Sequence, residues 1–149
     1  MAGAVVIGVG NRWRGDDGVG PAVLDALRDQ VAPGVELIES DGEPTRLLDA
    51  FAGRSPVVMI DAVKTGAPPG TVHRFPADEL PAGIGIGQSS HLVALVDTIA
   101  MGKLLGRLPQ GLVVIGIEAT DFDHGRDMTP PVAAAVETAV RAVLEELGG

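Results

Sequence analysis

Residues 4–9 form a short, nearly all-apolar run that ends at Gly10. A short all-apolar run closed by a turn residue predicts a parallel strand covered on both faces. Val19, Val23, Ala26 and Leu27 then recur at helical spacing, with Pro21 in the first turn, where proline is tolerated, and Asp16 or Asp17 in position to cap. The alternation repeats: residues 35–38 read as a strand, Leu47, Leu48 and Phe51 put one apolar face on a short helix, and residues 57–60 form a third strand. Pro68, Pro69 and Gly70 mark a turn, after which residues 71–75 alternate as an edge strand would.

Residues 76–90 carry Gly83, Gly85 and Gly87 with little periodicity, and connectors of this length are commonly functional. Three glycines in five residues predict a mobile segment over 83–87. Ser89 and Ser90 stand where they would cap a helix whose face is Leu92, Leu95, Val96 and Ile99, and residues 112–117 follow as a buried strand. Thr129, Pro130 and Pro131 open a last helix with Val132, Val136, Val140, Val143, Leu144 and Leu147 along one side and Glu137, Arg141 and Glu145 facing out. Strand and helix alternate throughout. The expected fold is α/β: one three-layer α/β/α domain over residues 1–149, with a mostly parallel open sheet of about five strands and helices on both faces.

Composition narrows the chemistry. Twenty acidic residues against 11 basic ones leave a formal net charge of −9, and no Lys/Arg block is present to neutralise a phosphate backbone, so nucleic acid is not an expected partner. The absence of cysteine removes disulfides, thiolate metal sites and a cysteine nucleophile together. Met1 to Gly10 lacks a basic n-region, and no apolar run approaches the roughly 20 residues needed to span a bilayer. A cytoplasmic protein without a membrane partner is the expectation.

In open α/β sheets, ligands bind outside the carboxyl ends of the strands. Asp16 and Asp17 follow the first strand, Asp41 the second and Asp61 the third, and His91 opens the helix after the glycine-rich connector. Such a set suits a borderline divalent metal held by oxygen and imidazole, or acid/base work by crowded carboxylates. Each residue also has a structural role open to it. Either member of the doublet could cap the helix; Asp61 could bond loop amides; Asp41, followed by Gly42, reads as a turn. A charged histidine at the positive end of a helix gains nothing, which leaves His91 as a neutral ligand or base. His73, on the edge strand, and His124, among Asp121, Asp123 and Asp127, read as surface residues.

Several familiar sites are excluded. Gly8-Val9-Gly10 lacks the third glycine of a dinucleotide loop, that position being Trp13, and the acidic doublet would repel a pyrophosphate. There is no P-loop and no His-Glu-x-x-His, and Gln88-Ser89-Ser90-His91 does not form a nucleophile elbow.

The segment Gly8-Val9-Gly10-Asn11-Arg12-Trp13-Arg14-Gly15-Asp16-Asp17-Gly18-Val19-Gly20 resembles the opening signature of the hydrogenase maturation proteases. Asp41-Gly42, Asp61-Ala62, Ser89-Ser90-His91 and Gly116-Ile117-Glu118 follow in that family's order. The resemblance implies a single α/β/α domain and an endopeptidase that removes the C-terminal extension of a [NiFe] hydrogenase large-subunit precursor after nickel insertion. It also implies that Asp17, Asp61 and His91 recognise the nickel, which is carried by the substrate rather than held as a resident cofactor, and that no organic cofactor is needed. Asp41 is then the residue for catalysis or substrate placement, and Gly8, Gly10, Asn11, Asp16 and Ser90 support the site. Asp16 would cap the helix and leave Asp17 to the metal, while the 83–87 segment could close over the substrate's tail. Two other functions use the same residues: a zinc-dependent aminopeptidase or deacylase, and a nickel-sensing assembly factor without catalysis.

Overall fold

The computed structural model describes residues 3–76, 90–109, 111–122, 125 and 127–148, and the backbone alone for 90–97. Five strands form one sheet in the order β2-β1-β3-β5-β4. They are β1 (Val5–Val9), β2 (Glu36–Ser40), β3 (Val57–Val63), β4 (Val72–Pro76) and β5 (Leu112–Glu118). The helices are α1 (Val19–Leu27), α2 (Pro44–Phe51), α3 (Ser90–Leu105) and α4 (Pro130–Glu146), and a 3-10 turn covers Gly15–Gly18.

The first, second, third and fifth strands are mutually parallel, and only β4 pairs antiparallel, against β5. Every residue of β1 and β3 is buried, as their continuous apolar runs predict for the centre of a sheet covered on both faces. β2 lies at one edge and is half-exposed; it runs to Ser40, two residues beyond the apolar stretch.

Alternate side chains of the sheet feed two cores. Val6, Val58, Ile60, Ile115 and Ile117 pack under α1 and α4, whereas Ile7, Met59, Val63 and Val114 pack under α2 and α3. Three layers follow directly. Burial of such side chains contributes roughly 1.5–3 kcal/mol each and holds the layers together. The first core also holds Ala135, Ala139 and Ala142 of α4, which packs against α1, and the valine pattern of α4 does not reveal them. On the strand side, Gly8 meets α1 backbone to Cα: a Cβ there would stand 2.7 Å from the Gly20 carbonyl oxygen.

The apolar run 57–60 continues as strand through Asp61, Ala62 and Val63, so Asp61 sits inside β3 rather than after it. Asp61 pairs with Gly116 and Val63 with Glu118. The pairing of β1 with β3 ends at Gly8 and Ile60, so Asp61 lies one residue past the last paired position on that side. The 83–87 segment, Asp123 and His124 lie outside the described residues, as do the side chains of Ser90 and His91.

Candidate functional site

The acidic doublet divides in two. Asp16 is fully buried, and its carboxylate gathers the chain between β5 and α4. Its Oδ1 accepts from Thr129 N at 2.7 Å and Thr129 Oγ1 at 2.9 Å. Its Oδ2 accepts from Thr120 N at 2.9 Å, Asp121 N at 3.0 Å and Thr120 Oγ1 at 3.2 Å. Burial pushes this carboxyl up, but the N–H donors of Thr120, Thr129 and Asp121 outweigh it and hold the group below the usual carboxylate range. The expected cap on α1 is therefore not formed. Gly18 is the N-cap of α1, without a side-chain bond, because the Asp16 carboxylate turns across to Thr129, the N-cap residue of α4.

Asp17, also fully buried, turns the other way. Its Oδ2 accepts from Asn11 N at 3.0 Å. Gly10 has φ +144°, and a Cβ on it would stand 1.9 Å from the Asp17 carbonyl oxygen, so only glycine lets the end of β1 lie against the 15–18 turn. Three residues after Asp17, a Cβ on Gly20 would stand 2.5 Å from the Val9 carbonyl oxygen and 2.8 Å from that of Ile60. The segment carrying Asp17 is thus pressed onto the ends of β1 and β3, at the corner where Asp61 follows Ile60.

Asp61 is fully buried, and its Oδ1 accepts from Ala62 N at 2.8 Å. It shares its strand face with Met59 and Val63, which belong to the core beneath α2 and α3. α3 ends at Gly106, where the bonds from Gly106 N to Lys103 O and from Arg107 N to Gly102 O form a Schellman motif leading into β5. Sixteen helical residues span about 24 Å, close to the roughly 23 Å of the seven-residue β5, so the first turn of α3 returns to the carboxyl rim. Position 91 lies in that turn, two helical turns before the fully buried Thr98. Among the described residues no three carboxylates or imidazoles gather into a metal-binding group.

Asp41 follows β2 and is exposed. Its Oδ1 accepts from Glu43 N at 3.1 Å, forming the turn that Asp41-Gly42 predicts, and its Oδ2 pairs with Arg46 at 2.7 Å. The Glu43 N–H and the Arg46 guanidinium hold its carboxyl below the usual range, which makes it a weak proton acceptor at neutral pH. β1 separates β2 from β3, so Asp41 stands about 10 Å across the rim from the Asp61 strand. It borders an open cavity of about 800 Å³ whose walls include Asn11, Trp13, Ile38 and Ala50.

His73 differs from its surface reading. Its Nε2 lies 3.1 Å from Glu118 Oε1, its side chain is 20% exposed, and its ring stacks on Phe75. Glu118 also accepts from Thr65 N at 2.7 Å, Thr65 Oγ1 at 2.6 Å and Gly66 N at 3.3 Å, and so anchors the loop after β3. Antiparallel pairing of β4 with β5 brings the two residues together, a relation that spacing 45 residues apart does not disclose.

The sequence profile of the hydrogenase maturation proteases matches residues 21–146. The chain belongs to the hydrogenase maturation protease family. That match begins just past Gly20, so it stands independently of the motif at 8–20. Hydrogenase expression/formation protein HupD of Thiocapsa roseopersicina is 29% identical over 147 residues, which cover 96% of this chain and 66% of HupD. This chain thus spans about two thirds of HupD's length. The hydrogenase 2 maturation protease of Escherichia coli K12 is 29% identical over 147 residues, covering 96% of this chain and 89% of that protein. The solved hydrogenase maturating endopeptidase HybD of E. coli superposes with a TM-score of 0.84 at 27% identity, over 97% of this chain and 91% of HybD. The expected α/β architecture and the peptidase class of the family both hold. Among the described residues no helix is long and apolar enough to cross a membrane.

Proposed function

We propose that this chain is a cytoplasmic endopeptidase that removes the C-terminal extension from the large subunit of a [NiFe] hydrogenase once nickel is in place. Asp17, Asp61 and His91 recognise the nickel, which arrives as part of the substrate. What supports this reading is that Asp17 and Asp61 are both fully buried, Asp17 on the turn pressed against the end of β1 and Asp61 near the end of β3, while Asp16 is committed to the β5–α4 connection. A divalent cation is the natural counter-charge for buried carboxylates that share a site. Oxygen donors with an imidazole suit nickel or zinc, and the chain has no thiolate to offer instead. Asp41, across the cavity and already engaged by Glu43 and Arg46, positions substrate rather than activating water.

Purified protein incubated with nickel-loaded and nickel-free precursor tests this by mass spectrometry. Shortening of the nickel-loaded form alone, abolished in Asp17→Asn, is the expected result. Stable binding without shortening would make the protein an assembly factor, and cleavage of short peptides by protein purified with stoichiometric zinc would make it a zinc hydrolase.

A further inference from the structure

Trp13 is the sole tryptophan of the chain, which has no tyrosine, and it is 73% exposed. The backbone beneath it is held on both sides. Trp13 N donates to Asn11 Oδ1 at 2.9 Å, and Trp13 O accepts from Gly125 N at 2.7 Å. One residue on, Arg14 Nε donates to Phe122 O at 3.2 Å. An indole projecting from a braced loop contributes little to the core, yet it loses little freedom on meeting a partner, which is the profile of a binding anchor.

Trp13 borders the cavity of about 800 Å³ together with Asn11, whose N–H holds the Asp17 carboxylate. A chain lying in this cavity therefore passes Asn11, the residue that holds Asp17. The charges lining it are answered within the protein: Arg12 by Asp25 at 2.7 Å and Glu39 at 2.8 Å, Arg46 by Asp41 at 2.7 Å, and Asp49 by Arg107 at 3.4 Å. With its charges neutralised locally, the cavity offers an uncharged occupant the apolar surfaces of Trp13, Ile38 and Ala50.

We propose that Trp13 is a specificity-determining residue whose indole packs on an apolar side chain of the client large subunit close to the scissile bond. This rests on the function proposed above and names the chemistry of its docking subsite. An aromatic anchor of this kind acts on client binding rather than on bond cleavage, so it changes KM and leaves kcat nearly unchanged.

The sole indole supplies a readout that needs no cleavage. A synthetic peptide spanning the client's scissile bond, free of tryptophan and tyrosine, should shift the indole emission to the blue, in wild type and in Asp17→Asn alike. A peptide whose apolar residues are replaced by lysine should leave the emission unchanged. Trp13→Ala should melt with wild type and raise KM for nickel-loaded precursor at least about tenfold with kcat within about twofold, and Trp13→Phe should restore most of the loss. Unchanged emission at saturating peptide, an equal shift with the lysine peptide, a client-independent shift that follows dimer formation, or wild-type KM in Trp13→Ala would each overturn the proposal. If Asp17→Asn cleaves normally while the emission shift persists, the metal assignment fails and the docking role of Trp13 stands.

Discussion

Replacing Asp16 with alanine should be among the most damaging single changes in the chain, although it touches neither a strand nor an apolar core. The carboxylate accepts from three backbone N–H groups, those of Thr120, Asp121 and Thr129, and from two hydroxyls. Hydroxyls can rotate to other acceptors, but the amides cannot. A buried donor left unmet costs about 1–3 kcal/mol, so three amount to roughly 3–9 kcal/mol, and water entering the vacated space recovers part of it. The expected loss is about 3–5 kcal/mol out of the roughly 5–15 kcal/mol that stabilises a domain of this size. Because the folded carboxyl lies below its unfolded value near 3.9, this contribution is fully present above that pH. It is lost as pH falls through the folded pKa. Urea denaturation of wild type and Asp16→Ala across pH measures both effects: a large gap at neutral pH that narrows in acid below about pH 4. A gap under about 1 kcal/mol at neutral pH, or one that stays constant into strong acid, would refute the reasoning.

Gly10→Ala should remove processing and lower stability by about 3 kcal/mol or more, since its φ is strained for alanine and its Cβ would collide with the Asp17 carbonyl; a well-folded, active variant seen by calorimetry and cleavage assay would show that the strand end does not fix Asp17. Glu118→Ala should release the loop after β3, read by hydrogen exchange as lost protection at the Thr65 and Gly66 amides, at a cost of about 2–4 kcal/mol. Burial raises the Glu118 carboxyl, but bonds from Thr65 outweigh it and lower the folded value, so this contribution too is present near neutral pH and fades in acid. Amides that stay protected in the variant would show another anchor for the loop.

The layers of the fold were legible because β1 and β5 are short, nearly continuous apolar runs, as strands covered on both faces are, and because α4 keeps its valines on one side. The end of β3 was not. A charged residue closes the apolar run at Ile60, whereas the hydrogen-bonded register with β5 continues to Val63, and a buried aspartate inside a strand is a cost that residue pattern alone does not foresee. Asp17 and Asp41 do lie in the loops after β1 and β2, as their places in the sequence predict, whereas Asp61 lies inside β3. Trp13 carried no signal beyond its failure to be glycine; its exposure beside a cavity emerges only when loop and β2 are placed together.

The doublet Asp16-Asp17 shows why the remaining assignments need the folded chain. Side by side in sequence, both lie before a helix and both could cap it. Their partners decide between them, and those of Asp16 lie 104 to 113 residues away. Three are backbone amides, which leave no trace in side-chain pattern, and the two hydroxyls belong to threonines, one already explained as a helix N-cap residue. A carboxylate that collects so many donors is held ionised and fixed in place, which ties the turn carrying Asp17 to the β5–α4 connection. On its other side that turn is held by Gly10 and by the Asn11 N–H. Asp17 is therefore gripped from two directions, through its neighbour and through its own oxygen. In the metal-binding role proposed for Asp17, the fold itself would position the carboxylate before the substrate's metal arrives, and Asp16 is the residue through which the β5–α4 connection does so.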